Sequence, residues 1–456
     1  MRKQILIGML AFSVATSAVA QSPQPPQPAE TPAASATTTA ASVPQTAAGA
    51  SAPLTRKDAE AIALRNNPQI TVGKLRALQA GQLVREQRSA LLPNAYLSLT
   101  GADASNNARI AAGGLNNPII FPRAATGGTV SQLITDFGRT ANLVSSAKAS
   151  AKSEEETSAA TTAQIVLAVD QAFYSALETR ALLQVAQQTV QSRQSITDKI
   201  SALTQAKLKS DLDLSFANVD LSRAKLLQLE AKNNYATALA TLSAILGYPD
   251  QQPFELAESN GAPEPPETDA TPLIMQAMRQ RPELLALQDQ VDAAEKFGHA
   301  EHDLWRPTVS ALGAVGVAPV RDYHLPNWYG AVGVNINLPV FNGFLYNARA
   351  KTADLQTEIA KQKLSDARNN IARDVRTAWQ QSQQAYERLS VAQQLREQAN
   401  LGFNLAQSRY NLGLSSIVEL GQAELAKTEA DIADTDAQYQ YRLTRLELAY
   451  TIGSPK

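Results

Sequence analysis

Ile165, Val169, Ala172, Ala176, Leu183, Ala186 and Val190 step along the chain by threes, fours and a seven, which places them on one face of a helix. They sit inside Arg139–Ala206, a run of 68 residues with neither proline nor glycine. A second run of 68 residues, Leu345–Leu412, is interrupted only by Gly402. At about 1.5 Å per residue each spans roughly 100 Å. A seam of that length cannot be buried against its own helix, so the pattern predicts a coiled coil or helical barrel. After the charged turn Lys207–Asp213, heptad spacing of Leu214, Ala217, Leu221, Ala224, Ala231, Tyr235, Ala238, Leu242 and Ile245 predicts a return helix stopped by Gly247.

A period of two appears elsewhere. Ala95, Leu97 and Leu99 alternate with Tyr96, Ser98 and Thr100 after Pro93, predicting a strand over 94–102. Residues 127–134 read as a weaker second strand, and residues 103–126 between them as a loop. In 308–318, Val309, Ala311, Val315 and Val317 share a face. In 328–338, Val332, Val334, Ile336 and Leu338 share one face while Gly333, Asn335 and Asn337 take the other. Strands of about ten residues, apolar on one side and small or polar on the other, fit an outer-membrane barrel with those four apolar residues toward lipid, and also fit a soluble β-layer. Trp328 and Tyr329 fit an interfacial aromatic girdle.

The chain is internally duplicated. A shift of 206 maps "VAQQ" at Val185–Gln188 onto Val391–Gln394, Val169 onto Val375, Phe173 onto Trp379, Tyr235 onto Tyr441, Leu242 onto Leu448 and Gly247 onto Gly453. Upstream of the strands the shift is 214, mapping Asn67-Pro68 onto Arg281-Pro282 and Leu92-Pro93 onto Arg306-Pro307. The missing eight residues fall in the strand–loop–strand segment, where surface loops tolerate them. The expected organisation is a first repeat at 54–248, a proline-rich linker at 249–271 and a second repeat at 272–456. Each repeat contains a helix broken at its Xaa-Pro, two strands, a very long helix and a return helix. The fold class is mixed α and β, mainly α.

Composition narrows the function. Residues 1–20 read as a secretory signal, with Arg2 and Lys3, an apolar core from Ile5 to Val14, and Ala18-Val19-Ala20 before the cut. Residues 21–53, rich in Pro, Ala and Thr, read as a disordered leader. No other run is long and apolar enough for a membrane helix. The net charge of −1 leaves no basic footprint for nucleic acid, and the absence of cysteine leaves no disulfide or thiolate metal site. The three histidines, His299, His302 and His324, have no completing ligand set, so neither metal nor other cofactor is expected. No phosphate loop or nucleophile elbow is present, and an enzyme is not expected.

Four strands per chain are too few to close a membrane barrel, and open sheet edges cannot face lipid. Several chains must therefore share one barrel; three chains, giving twelve strands, are the natural solution. The rival reading is a periplasmic coiled-coil adaptor or scaffold. Such a protein would carry one helical hairpin flanked by compact β domains, whereas two equivalent hairpins, each preceded by strands, are read here.

The chain resembles the TolC family of outer-membrane efflux and secretion channels over essentially everything after residue 54. The resemblance rests on "NNPQI" (66–70), "ALLPNAYLSL" (90–99), "DFGR" (136–139), "RPEL" (281–284), "LPVFNGF" (338–344), "RYNLGLSSIVELGQAE" (409–424) and "IG" (452–453), in that order and spacing. Residue 21 is not cysteine, which separates the chain from the lipoprotein branch. The resemblance implies a homotrimer with a twelve-stranded outer-membrane barrel, contacts with outer-membrane lipid, and a periplasmic α-barrel. It also implies docking to a periplasmic adaptor, or membrane fusion protein, and to an inner-membrane pump of RND or ABC type. The implied role is passive conduction to the exterior, as exit duct of a tripartite efflux or type I secretion system.

The family's pore constriction lies near the hairpin turns. Its acidic position falls on Glu419, its second acid on Gln422, its gate tyrosine on Tyr410 and its gate arginine on Ser415. The 206 shift carries Glu419 onto Asp213; Asp211, Lys207 and Lys209 are neighbouring charges able to replace lost partners. With serine at 415, the closed mouth is expected to rely less on an arginine–carboxylate clamp and more on Tyr410 hydrogen bonds and packing. The plainer alternative is that these are solvated turn residues.

Overall fold

In the computed structural model, the described residues are 53–103, 122–257, 264–320 and 326–453. The expected signal segment, nearly all of the leader, most of the first strand loop and His324 lie outside them. The element order is α1 (Arg56–Asn66), α2 (Pro68–Ser89), β1 (Asn94–Ala102), β2 (Arg123–Thr135), α3 (Arg139–Gln205), α4 (Asp211–Ile245), α5 (Thr271–Gln280), α6 (Pro282–His302), β3 (Thr308–Val320), β4 (Trp328–Asn337), α7 (Leu345–Asn411) and α8 (Ile417–Thr451). Both long helices have 67 residues, as the uninterrupted runs predict.

Local chemistry sets the boundaries. Thr55 caps α1 in a reciprocal box with Asp58, and Asn67 both caps α2 and sends its amide to the Ile245 carbonyl at 2.9 Å. Each strand pair passes into its long helix through left-handed residues: Phe137 and Gly138 before α3, Gly343 and Phe344 before α7. Asp136 holds the first junction by accepting from the Gly138 and Thr140 amides at 3.2 and 2.7 Å. Return helices α4 and α8 end on Gly247 and Gly453, both at positive φ. A side chain at Gly247 would strike the Asn66 carbonyl at 2.7 Å, and one at Gly453 would crowd Gln280 at 3.1 Å. The two copies thus close the same way, on the break between the paired short helices.

The duplication reaches the interior. Val169 and Leu242 of the first copy and their counterparts Val375 and Leu448 are all buried. The first set packs with Phe173 and Leu177 against α1 and Leu256, the second with Leu364 and Ile371 against α5 and α6. The linker is strapped to both copies: Leu54 and Leu256 form a bridge, Arg180 donates to the Leu256 carbonyl, Trp379 to Glu267, and the Tyr441 hydroxyl to Glu264.

The strands form one antiparallel sheet in the order β1-β2-β3-β4, so β1 and β4 are its free edges. β2 begins four residues before the predicted 127, β3 runs two past 318, and β4 stops at Asn337, leaving Leu338 exposed just beyond it. Register puts Leu97 opposite Gly128, Gly128 opposite Val315, Val309 opposite Ile336 and Ala311 opposite Val334. Opposed residues share a face, so the apolar positions of all four strands make one continuous surface. Val332 is 93% exposed there, and Leu97 and Leu99 nearly as open.

Tyr329 departs from the girdle reading. It follows Trp328 in the strand and so points to the opposite face, where its ring lies over Gly316 and Gly127; any Cβ at either glycine would collide with it.

Below the sheet, charge fastens the helices. Glu301, almost fully buried, receives the Arg349 guanidinium at 2.6 and 2.9 Å and approaches Arg139 at 3.9 Å, joining α6, α7 and α3. Asp303 takes the Asn142 amide at 3.0 Å and pairs with Arg306 at 3.0 Å. His302 meets Asp354 at 2.9 Å, and no group of residues fit to hold a metal occurs among the described residues.

Candidate functional site

The turns after the long helices are built on one plan. In α7, the Gly413 amide reaches the Tyr410 carbonyl (3.0 Å) and the Leu414 amide that of Arg409 (2.8 Å), which satisfies the helix's last carbonyls. In α3, Lys207 and Leu208 do the same to Thr204 and Leu203 at 2.9 and 2.8 Å. Gly413 has φ +73° and its counterpart Lys207 has φ +60°, so the first copy forces a side chain into the left-handed region.

The return helices then open on serine caps whose third residue is acidic. Ser210 accepts from the Asp213 amide at 3.2 Å, and Asp213 reaches back to the Ser210 amide at 3.4 Å, closing a capping box. Ser416 caps α8 through the Glu419 amide at 3.2 Å, but the Glu419 carboxylate turns away to pair with Arg409 Nε at 3.1 Å. The first copy has Leu203 where Arg409 stands, so Asp213 keeps its capping role. Asp211 lies exposed in the first turn of α4, favourably placed at a helix N-terminus.

Tyr410 is buried among Ile200, Leu420 and Phe403, joining the two turns. Its hydroxyl has no hydrogen-bond partner, and Lys209 Nζ stands 4.5 Å from its ring centroid. Burial, and then the charge of Asp213, push the phenol above its ordinary pKa. The Ser415 hydroxyl is likewise buried without a partner. Against the expectation for the mouth, an arginine–carboxylate pair is present, Arg409 with Glu419 in place of one through residue 415. Tyr410 makes the expected packing contacts and a cation–π contact with Lys209, while its hydroxyl makes no hydrogen bond.

Two turns further along the helices, α8 is tied to the first hairpin by a network absent from the sequence reading. Arg193 of α3 binds Asp220 of α4 at 3.2 Å and Glu424 of α8 at 3.1 Å, and Ser192 donates to Glu424 at 2.8 Å. Gly421 makes room for it: a Cβ there would press on the Asp220 carboxylate at 3.0 Å. Burial raises the Glu424 pKa against the pull of Arg193. One signal pointed to this network. Arg193 occupies the seam that carries Ala186 and Val190 before it and Thr197 and Ile200 after it, and a charge in an apolar seam needs a partner.

A family model described as "Outer membrane efflux protein" matches residues 61–248 and 273–454, both repeats. The chain is 21% identical over 408 residues to the outer membrane protein TolC of Escherichia coli, covering 85% of this chain and 80% of that one. It is 23% identical over 372 residues to the toluene efflux pump outer membrane protein TtgC of Pseudomonas putida, covering 77% and 73%. Its fold superimposes on the crystal structure of the outer membrane protein VceC of Vibrio cholerae with a TM-score of 0.75 at 18% identity, over 88% of this chain and 97% of that one.

Proposed function

We propose, from the premise that the chain belongs to the outer membrane efflux protein family and is an exit channel of the outer membrane, that three copies assemble into one continuous duct. The observation that carries this reading is the sheet. It has two unpaired edges, an apolar face largely open to solvent, and helices of roughly 100 Å extending from it. Unpaired edges are untenable in lipid, so β1 of one copy pairs with β4 of the next. Four strands per copy preserve the antiparallel alternation at each junction, and three copies close a twelve-stranded barrel with Val332, Val334, Ile336 and, at its margin, Leu338 toward lipid. Leu212, Phe216, Val219 and Leu226 form an exposed apolar stripe on α4, which a neighbouring copy's long helix covers in the assembled tube.

The helices project into the periplasm and end at the turns. There Asp213 and Glu419, repeated by the threefold axis, form two acidic rings that draw cations to the mouth. The mouth docks a periplasmic adaptor and, through it, an inner-membrane pump of RND or ABC type. The channel adds no chemistry and leaves the choice of cargo to the pump.

The test is deletion and re-expression in the native host. Loss of the gene should raise the cellular accumulation of a fluorescent efflux dye, and the wild-type chain, recovered in the outer-membrane fraction, should reverse it. Recovery of the chain in the soluble periplasm would favour the scaffold reading and overturn this one.

A further inference from the structure

The 206 shift that relates the two hairpins also relates their edges. Within one chain α3 packs on α4 and on α8, and α7 packs on α8, so α4 and α7 are the outermost of these helices. By the shift, α7 is the counterpart of α3, and α4 of α8. The seam that α3 makes with α8 thus has an unmade twin, with one half on α7 and the other on α4.

Burial marks both halves. On α8, Ile417, Leu420 and Glu424 are buried against the first hairpin. Their counterparts on α4, Asp211, Leu214 and Asn218, are exposed or half-buried. On α3, Val185, Thr189 and Ile196 are half-buried, while their counterparts Val391, Leu395 and Gly402 are exposed. Glycine weakens a helix interior, so one inside α7 calls for a reason. A side chain added at Gly402 would meet nothing within 4 Å among the described residues.

We propose that α4 of a second copy of this chain seats on this face of α7, in the register that α8 takes on α3. The inference rests on the three-copy reading above and adds which helices meet, and where. Arg193 against Glu424 translates to Ala399 against Asn218. Ile196, which shares a small gap with Gly421, translates to Gly402 beside Ser215. Followed along the antiparallel pair, the same register sets Leu405 opposite Leu212 toward the turns and Val391 opposite Leu226 away from them. All four are exposed in the single chain, and each finds an apolar partner across the seam. The small residues between them let the two backbones approach closely. Heights agree: Ala217 lies in one cluster with Phe403 and Ala406, and rotation about an axis along the tube changes no height. The sheet agrees as well, since its edges β1 and β4 belong to the same repeats as α4 and α7. The ion pair at the centre of the seam within the chain has no counterpart at Ala399 and Asn218, so apolar contact and fit hold the seam between copies.

The chain has no cysteine, so introduced pairs read the seam directly in purified full-length protein. Leu405→Cys with Leu212→Cys, treated with a short bismaleimide, should give crosslinked dimers and trimers on denaturing gels, and neither single variant should. Leu405→Cys with Leu226→Cys, about 20 Å out of register, should give none. Gly402→Leu should lower the yield of heat-resistant oligomer by more than about tenfold, because the seam has no room for the side chain, whereas Gly402→Ala should assemble. A trimer by native mass spectrometry that fails to crosslink through Leu405 and Leu212, or crosslinks equally through the out-of-register pair, overturns the seam and leaves the three-copy reading standing. Gly402→Leu assembling like the wild type does the same. A chain that forms no trimer overturns both.

Discussion

Arg193 and Glu424, 231 positions apart in sequence, meet at 3.1 Å in the interior, and each is more than nine-tenths buried. Together with Asp220 they make the two hairpins one mechanical body a few turns above their tips. Arg193→Met removes the cation and leaves the buried Glu424 carboxylate without its ion-pair partner, beside the partly exposed Asp220. The expected cost is about 3–5 kcal/mol, read as a fall in the thermal unfolding midpoint in detergent. Replacing all three charges with apolar residues of similar size should cost far less than the single change. Equal losses in both variants would mean that volume, not charge, holds the site.

Lys207 and Gly413 occupy the same left-handed position in the two copies, and only the second uses glycine. Lys207→Gly should stabilise the first turn by roughly 0.5–1 kcal/mol, while Gly413→Lys should destabilise the second by about 1–2 kcal/mol. Hydrogen exchange at the ends of α3 and α7 measures each separately.

On the sheet, alternation gives a sharp contrast between neighbours. Val334→Arg should impair insertion, since an arginine facing lipid near the midplane costs about 2–4 kcal/mol, whereas Asn335→Arg, on the opposite face, should be tolerated. Heat-resistant oligomer on gels of outer-membrane fractions reports the difference. Equal damage at both positions would invert or abolish the assignment of faces.

Stability should fall as pH rises through the neutral range. Burial, and then Asp436, push Glu178 up to about 7, and burial pushes Asp170 to about 7 despite Arg56 at 3.3 Å. Both groups bind their proton more tightly folded than unfolded. Their contribution is therefore complete below the ordinary carboxylate pKa of about 4 and is lost as pH climbs through about 7. Denaturant midpoints at pH 5 and pH 8 should differ in that direction, and Glu178→Gln should shrink the difference.

The long helices were legible because nothing in either run interrupts them, and their counterparts confirmed each other through one fixed shift. β4 was legible because Val332, Val334 and Ile336 alternate with Gly333, Asn335 and Asn337. The first residues of β2, Arg123 to Thr126, carry no such alternation; they are strand because Leu99 to Ala102 of β1 pair with them. Two adjacent aromatics suggest one girdle, but the pleat sends Trp328 and Tyr329 to opposite sides, and only the register with Gly316 shows where Tyr329 lies. At the turns, the family pattern located Tyr410 and Glu419 but not the partner of Glu419. Arg409 lies ten positions away and meets it only because the turn folds α8 back onto α7. Arg193 has Ala399 at the matching place in the second copy, so the duplication could not mark it.

The central claim is that this chain completes its sheet only with copies of itself, and native mass spectrometry of protein extracted from the outer membrane tests it most directly. The expected result is a single assembly of three chains, twelve strands closing one barrel with no free edge. A stable single chain, or a two-chain complex with eight strands, would contradict it.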